Sequence, residues 1–346
     1  MALVKVNRGN LGLYYGKCHA PSCFKRKDLL KCAACRVVVY CGADHQRSDW
    51  PRHKTSCRIV KQARAELAKA ETDLRNDPDK LFDDPEAIGM FWGIHETRPY
   101  MSARFNLMQS LLNIRGGEAV DEALEHALEM LRLCRGDNQG VRTYVPAMYL
   151  RMGRDQEAYD FIKWWAVGTD SHFNWADNTL PYLNLKGEDV LDDGFENWDF
   201  DFQLSFDVIL TMIYMRLLLD VGMLAVEMKK NKSMSNEEKM ELLKEEAMSD
   251  VLLNRPDLVY QDDYEALETK LTGMVTKAYQ KVKKTNKYFW PGILHPERYS
   301  NAAPSMYSAG SESQAVLAFR ESWYAFADNE PATTAICELI RQDGGR

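Results

Sequence analysis

Eight side chains that can hold a metal fall within forty residues near the start of the sequence: Cys18, Cys23, Cys32, Cys35, Cys41, His45, His53 and Cys57. Six of the eight cysteines in the chain lie in this stretch, and Cys134 and Cys337 stand apart as expected buried apolar residues. The N-terminus has no basic-then-apolar leader, so the expectation is a protein made and kept inside the cell, in cytoplasm or nucleus. In a reducing compartment, cysteine pairs interleaved with histidines read as metal ligands and not as a disulfide framework. The spacings are Cys18-x4-Cys23, Cys32-x2-Cys35, Cys41-x3-His45 and His53-x3-Cys57. Two intervening residues let one tight turn present both sulfurs to a zinc ion, and three put two donors on one face of a helix. Four such pairs make two closed tetrahedra, so the zinc ions have no open position for water and their task is folding. A module of this size buries too little core to fold alone, and zinc binding worth roughly 10–16 kcal/mol supplies the missing stability.

The run from Val39 to Cys57 contains Tyr40-Cys41, Gln46-x2-Asp49-Trp50 and His53-Lys54-x2-Cys57 in order. It resembles the MYND finger family. The resemblance implies a cross-braced arrangement, with Cys18, Cys23, Cys41 and His45 on one zinc and Cys32, Cys35, His53 and Cys57 on the other. His45 stands where most members have cysteine, and the first pair is x4 where x2 is usual, which leaves His19 as an alternative donor. The family binds short proline- and leucine-containing peptides of partner proteins through residues that match Gln46 and Trp50. A serine that contributes in one such surface corresponds to Ala33, so the peptide preference here is open. Trp50 has a second reading, packing into the finger's own small core.

What must position these groups is a mostly helical chain. The segments expected are 1–17, the finger at 18–57, a helical linker at 58–99, and a tetratricopeptide-like helical domain at 100–346 interrupted by an acidic, aromatic insertion at 166–203. Ile59, Ala63, Leu67, Ala70 and Leu74 form one stripe of a helix leaving the finger. Helical spacing recurs through Phe105–Leu112, Ala123–Leu133, Val141–Met152 and Gln156–Trp165. The turn Asp137-Asn138-Gln139-Gly140-Val141-Arg142, the later Gly153–Ala158 and Gly310–Ala315 resemble a tetratricopeptide-like family; that likeness implies stacked helix pairs that bind other proteins, with Asp137 and Asn138 as helix caps. The insertion, rich in Trp and Phe, is read as a packed extension of the body, with an acidic recognition loop as the alternative. Further helices are expected at Leu204–Met228, Glu237–Met248, Tyr264–Val282 and, as the last clear one, Ser311–Phe326, with a turn-rich linker around Trp290-Pro291-Gly292 and His295-Pro296.

The apolar stretch Val208–Val226 is long enough to span a bilayer, but Arg216 and Asp220 would each cost roughly 3 kcal/mol at its centre, so a buried helix and no membrane are expected. The two stand at i and i+4 and are expected to meet on one face.

Ten basic and three acidic residues lie between Lys17 and Arg58, a net of +7, which leaves about −14 on the rest of a chain whose formal charge is −7. Two zinc ions on six thiolates bring the finger to near +5. The acidic remainder argues against nucleic acid as partner.

Catalysis finds little support in the motifs. Methyltransferases with a MYND insert place catalytic sequence before the finger, where only 17 residues stand here, and no Asn-His pair occurs. A facial iron triad needs a histidine after His295-Pro296-Glu297, and none follows. The Gly-x-Ser-x-Gly elbow, Gly-x4-Gly-Lys loop and Gly-x-Gly-x-x-Gly fingerprint are missing, and His95, His126 and His172 stand alone. The expectation is a non-enzymatic, zinc-binding adaptor or regulator acting through protein–protein contacts, with transcriptional control among its outputs. A methyltransferase-like enzyme carrying the finger is the alternative.

Overall fold

A computed structural model describes residues 16–168, 172–200, 203–302, 304 and 306–344. Most of the expected segment 1–17, and short pieces of the 166–203 insertion, lie outside them. The chain divides into two compact units, one formed by 13–148 with 171–182 and the other by 149–170 with 183–346, so the division falls inside one helix.

In the first unit, strands β1 (Leu30–Lys31) and β2 (Val39–Tyr40) pair antiparallel, Leu30 opposite Tyr40. Helix α1 (Ala43–Arg75) follows at once, and its buried residues Asp49, His53, Cys57, Val60, Ala63, Leu67 and Leu74 recur at helical spacing. The helix expected from residue 58 thus begins inside the finger. Its inner face takes Val60, and Ile59, expected on the buried stripe, is 49% exposed. Pro51 lies within α1 and cannot donate to the carbonyl one turn back, so the ladder is uninterrupted only from Arg52 onward.

α1 packs on α2 (Arg98–Leu112), and α2 on α3 (Gly117–Leu133), a pair of successive helices joined by a short turn. Between α1 and α2 the chain is turns and short 3-10 segments, yet it is not loose: Phe82 lies edge-on to Tyr100 at 5.0 Å and tilted on Phe91 at 5.6 Å. The division between units runs through α4 (Val145–Arg151).

The second unit is built round α6 (Leu204–Lys230), preceded by α5 (Asp155–Val167). It continues with α7 (Asn236–Glu246), α8 (Pro256–Val259), α9 (Glu265–Thr285), α10 (Phe289–Leu294), α11 (Pro296–Ser300), α12 (Glu312–Ala327) and α13 (Glu330–Gln342). α7 opens with a capping box, Ser235 and Glu238 each satisfying the other's backbone N–H. α6 is apolar on all sides because it has neighbours on several, packing against α5, α9, α12 and α13. The mostly α architecture is as expected. In the second unit, however, the main contacts among the described residues join helices distant in sequence, α6 with α9, α12 and α13, which is not the nearest-neighbour order of a tetratricopeptide stack.

Three local expectations differ. Trp290-Pro291-Gly292 lies inside α10, and Pro296 opens α11, where a proline forfeits no hydrogen bond. α13 extends the chain past the last expected helix, with only Asp328 and Asn329 separating it from α12. Arg216 and Asp220, both buried, do not form the expected pair. Arg216 Nε lies 2.9 Å from Asp155 Oδ1, and Asp220 accepts the backbone N–H groups of Met248 and Ser249, both at 3.0 Å. Buried charges are satisfied by whichever donors the packing supplies, whatever their spacing along the helix.

The later part of the insertion is packed: Val190, Phe195, Trp198 and Phe200 are buried, and its carboxylates Glu188 and Asp192 meet Lys163, Asp189 meets Arg255, and Glu196 meets Lys277, whereas the residues described from 172 to 189 are exposed or half-buried.

Candidate metal centres

The first ligand pair sits on a loop whose backbone folds on itself, with Cys18 N–H donating to Lys25 O and Cys23 N–H to Ala20 O. The turn Cys32–Cys35 closes through Arg36 N–H on Cys32 O, with Arg36 at a positive φ of 67°. β2 delivers Cys41 to the start of α1, and α1 carries His45, His53 and Cys57.

These elements bring the eight donors together in two groups, Cys18, Cys23, Cys41 and His45 in one, Cys32, Cys35, His53 and Cys57 in the other, the donor atoms of each within 4.8 Å of one another. The grouping is the cross-braced one. A zinc tetrahedron with bonds of about 2.3 Å to sulfur and 2.0–2.1 Å to nitrogen has edges of about 3.8 Å between sulfurs and about 3.5 Å between sulfur and nitrogen. The second group has Cys32 Sγ to Cys57 Sγ at 3.7 Å and Cys35 Sγ to His53 Nε2 at 3.6 Å. The first has Cys23 Sγ to Cys41 Sγ at 3.9 Å, Cys18 Sγ to His45 Nδ1 at 3.5 Å, and a tighter Cys41 Sγ to His45 Nδ1 at 3.1 Å. The donor sets suit two structural zinc ions, and with four protein donors each they leave no place for a substrate or water.

Electrostatics explains why these sites want a metal. Burial, then the neighbouring Cys35 thiolate, pushes the Cys57 thiol up to about 12, and burial also raises Cys35 and Cys41. Three thiolates in one pocket repel one another unless a dication sits between them. Burial lowers His53, favouring the neutral imidazole that ligates.

A second layer holds the ligands in place. Tyr40 donates to Asp49 Oδ2 at 2.6 Å, Arg52 Nε donates to Asp49 Oδ1 at 2.7 Å, and Arg52 Nη2 donates to His19 O at 2.7 Å. Asp49 of the Gln-x2-Asp-Trp run is therefore a buried organiser. Arg64 reaches back from α1 to the Cys35 carbonyl, Nε at 3.0 Å and Nη2 at 2.8 Å, while gripping Glu122 of α3. Sequence reasoning missed Arg64 and Glu122, whose partners are far away along the chain.

His19, the alternative donor, belongs to neither group. It is buried beside Gly116, where an added Cβ would come within 3.0 Å of the imidazole. Trp50 is 43% exposed and touches His53 edge-on at 6.1 Å, so it is not part of the finger's core. Gln46 is half-buried one turn before it, and Ala33 is exposed. Asp137 caps the turn after it, accepting from the N–H groups of Val141 and Arg142, whereas Asn138 accepts from the Cys134 thiol at 3.3 Å and caps nothing. Cys134 is buried and Cys337 half-buried.

Residues 17–57 match the model of the MYND finger family, and this stretch is a MYND finger. The chain is 42% identical over 50 residues to the histone-lysine N-methyltransferase ASHR1 of Arabidopsis thaliana, covering 14% of this chain and 10% of that protein. It is 39% identical over 56 residues to Egl nine homolog 1 of Mus musculus, covering 16% and 14%. It is 32% identical over 94 residues to the N-lysine methyltransferase SMYD2-A of Xenopus laevis, covering 23% and 20%. The chain thus spans a fifth or less of the length of these relatives, and the matches lie mainly in the finger. No solved structure matches.

These names correct one expectation. The sequence motifs lead to the expectation of no enzyme activity, whereas proteins similar to the chain through this finger are named lysine methyltransferases. Closed zinc sites exclude catalysis at the zinc alone; they do not bear on chemistry elsewhere in the molecule.

Proposed function

We propose that the finger docks a short proline- and leucine-containing segment of a partner protein, with Trp50 and Gln46 as its contact residues. Zinc binding and protein interaction are what a MYND finger brings to a chain. The observation that carries the finer reading is Trp50: a large ring left 43% exposed on a helix pinned by His53 and Cys57 to the metal. A preorganised aromatic of this kind is the residue type that dominates binding energy at interfaces. The reading puts the protein inside the cell, in cytoplasm or nucleus, where the six thiols stay reduced. Regulation of transcription is an output it would suit.

Trp50→Ala should weaken capture of a Pro/Leu peptide or of native partners at least about tenfold, and Gln46→Ala less, with zinc content and helical signal unchanged. An unaltered interaction would move the docking surface to the helices. Chelation should release two zinc ions per chain and melt the finger while most helical signal survives; release of one or none would overturn the ligand sets.

A second reading, in which the finger recruits substrates for lysine methylation, draws its support from the names of the relatives alone. Incubation of the full chain with labelled S-adenosylmethionine and histones tests it. Transfer of label supports that reading, and none removes it.

A further inference from the structure

The surface that presents Trp50 does not stop at the last zinc ligand. On α1, Arg47, Trp50, Lys54, Arg58, Lys61 and Ala65 stand three or four residues apart and so share one face. All are exposed. Arg47 is paired with Asp44, but among the described residues no carboxylate pairs with Lys54, Arg58 or Lys61. Beside them Ile59, 49% exposed, lines a shallow groove of about 510 Å3 together with Thr55, Arg58, Lys61, Gln62 and Ala65. The basic run ends at Glu66, whose carboxylate is occupied by Gln62 at 2.8 Å and Asn106 at 3.2 Å.

Ile59 stands nine residues beyond Trp50, so at about 100° per residue the two lie on opposite flanks of α1, with the stripe of three uncommitted cations between them, and a segment crossing this stripe would meet an aromatic, then charge, then an aliphatic. We propose that the stripe extends the docking site beyond the finger and receives carboxylate side chains of the same partner segment. The ligand would then be an acidic peptide with apolar anchors, one for Trp50 and one for Ile59. This rests on the docking reading above and adds the chemical class of the ligand.

Charge complementarity favours a short acidic peptide over a long polyanion. At physiological salt, charges are felt over about 8 Å, so a few carboxylates respond to Lys54, Arg58 and Lys61. A nucleic acid duplex would extend past them, against a chain carrying about −14 outside the finger.

The test uses the zinc-loaded full chain and fluorescein-labelled peptides at about 0.15 M salt. One peptide carries a Pro/Leu core followed by a glutamate run, and its control has glutamines in the same places. The acidic peptide should bind about tenfold tighter, with an advantage that shrinks as salt rises. Lys54→Gln/Arg58→Gln/Lys61→Gln should abolish the advantage and leave binding of the control peptide intact; zinc content and helical signal verify folding, and the salt titration on the unaltered chain stands whether or not the variant folds. If both peptides bind alike and Trp50→Ala removes both, the docking reading survives and the acidic extension is wrong. If neither binds, both are wrong. A DNA duplex or an anionic vesicle that binds as tightly as the acidic peptide would also overturn the proposal.

Discussion

At Cys57 the interplay of burial and metal is most pronounced. A thiol pushed up to about 12 holds its proton at pH 7, and ligation requires the thiolate. Zinc uptake by the stripped protein must therefore expel protons, and affinity should increase with pH. Titrating zinc into chelator-treated protein beside a pH indicator should register acidification, and the zinc dissociation constant should fall between pH 6 and pH 8; a constant that ignored pH would contradict the ligand chemistry. At this scale the sequence was most readable. Each ligand pair lies within five residues, so spacing carries the geometry. Tyr40–Asp49–Arg52 was not readable, because nothing in Gln-x2-Asp-Trp announces that the aspartate turns inward while the tryptophan turns out.

Among elements, Arg64 is the tie between the finger and the helices it packs with. Burial alone would raise Glu122, but the His126 imidazole 3.6 Å away and the hydrogen-bonded Arg64 guanidinium hold it down to about 2. Its folded value is depressed, so the stabilisation is present above the ordinary glutamate range and is lost as pH falls through about 2. Arg64→Ala strands both the Cys35 carbonyl and the Glu122 carboxylate and should cost about 1–3 kcal/mol, visible as a lower melting temperature and faster zinc loss to chelator. Glu122→Gln should cost less, about 1 kcal/mol, because the carbonyl bonds remain. Equal zinc-release rates in all three proteins would disprove the tie. Helical periodicity revealed α2, α3, α6, α9 and α12, which bury one strong face or all faces. It failed where helices meet with almost no spacer. Ala332, Ile336 and Ile340 form a clean stripe in α13, yet Asp328 and Asn329 give a turn too brief to announce another helix.

For the molecule as a whole, the second unit hides an imbalance of charge. Asp155, Asp220 and Asp250 are buried in one neighbourhood with Arg216, and burial above all pushes each of the three carboxyls up to about 7. Arg216 also donates to Leu150 O at 2.9 Å, Asn329 Oδ1 at 2.5 Å and Met248 O, while Asp250 accepts from Gln156 N–H at 3.0 Å. Arg151 and Asp328 pair separately at 2.8 Å, and Glu157 adds repulsion on Asp250. Carboxyls raised in the folded state favour folding when protonated, so their contribution is full below about 4 and fades as pH climbs through 7. The melting temperature of the helical signal should drop from pH 6 to pH 8, and Asp250→Asn should flatten that drop. The same slope in variant and parent would show that Asp250 does not titrate there. Spacing along α6 pointed to Arg216 and Asp220, but as partners of each other; Asp155 and Asp250 were not legible, since α5, α6 and the segment after α7 meet only in three dimensions.

One last consequence follows from the continuity of α1. From Arg52 to Arg75 one helix carries two ligands of a zinc ion, the basic face and the surface that packs on α2, with no swivel between them. At about 100° and 1.5 Å per residue, the helix acts as a screw whose thread sets the bearing of every group along it. A single alanine inserted after Arg58 would leave charge and zinc ligands intact, yet turn Ile59, Lys61 and Ala65 by more than a quarter circle relative to Trp50, Thr55 and Arg58. A partner that reads both together would lose its grip through phase alone.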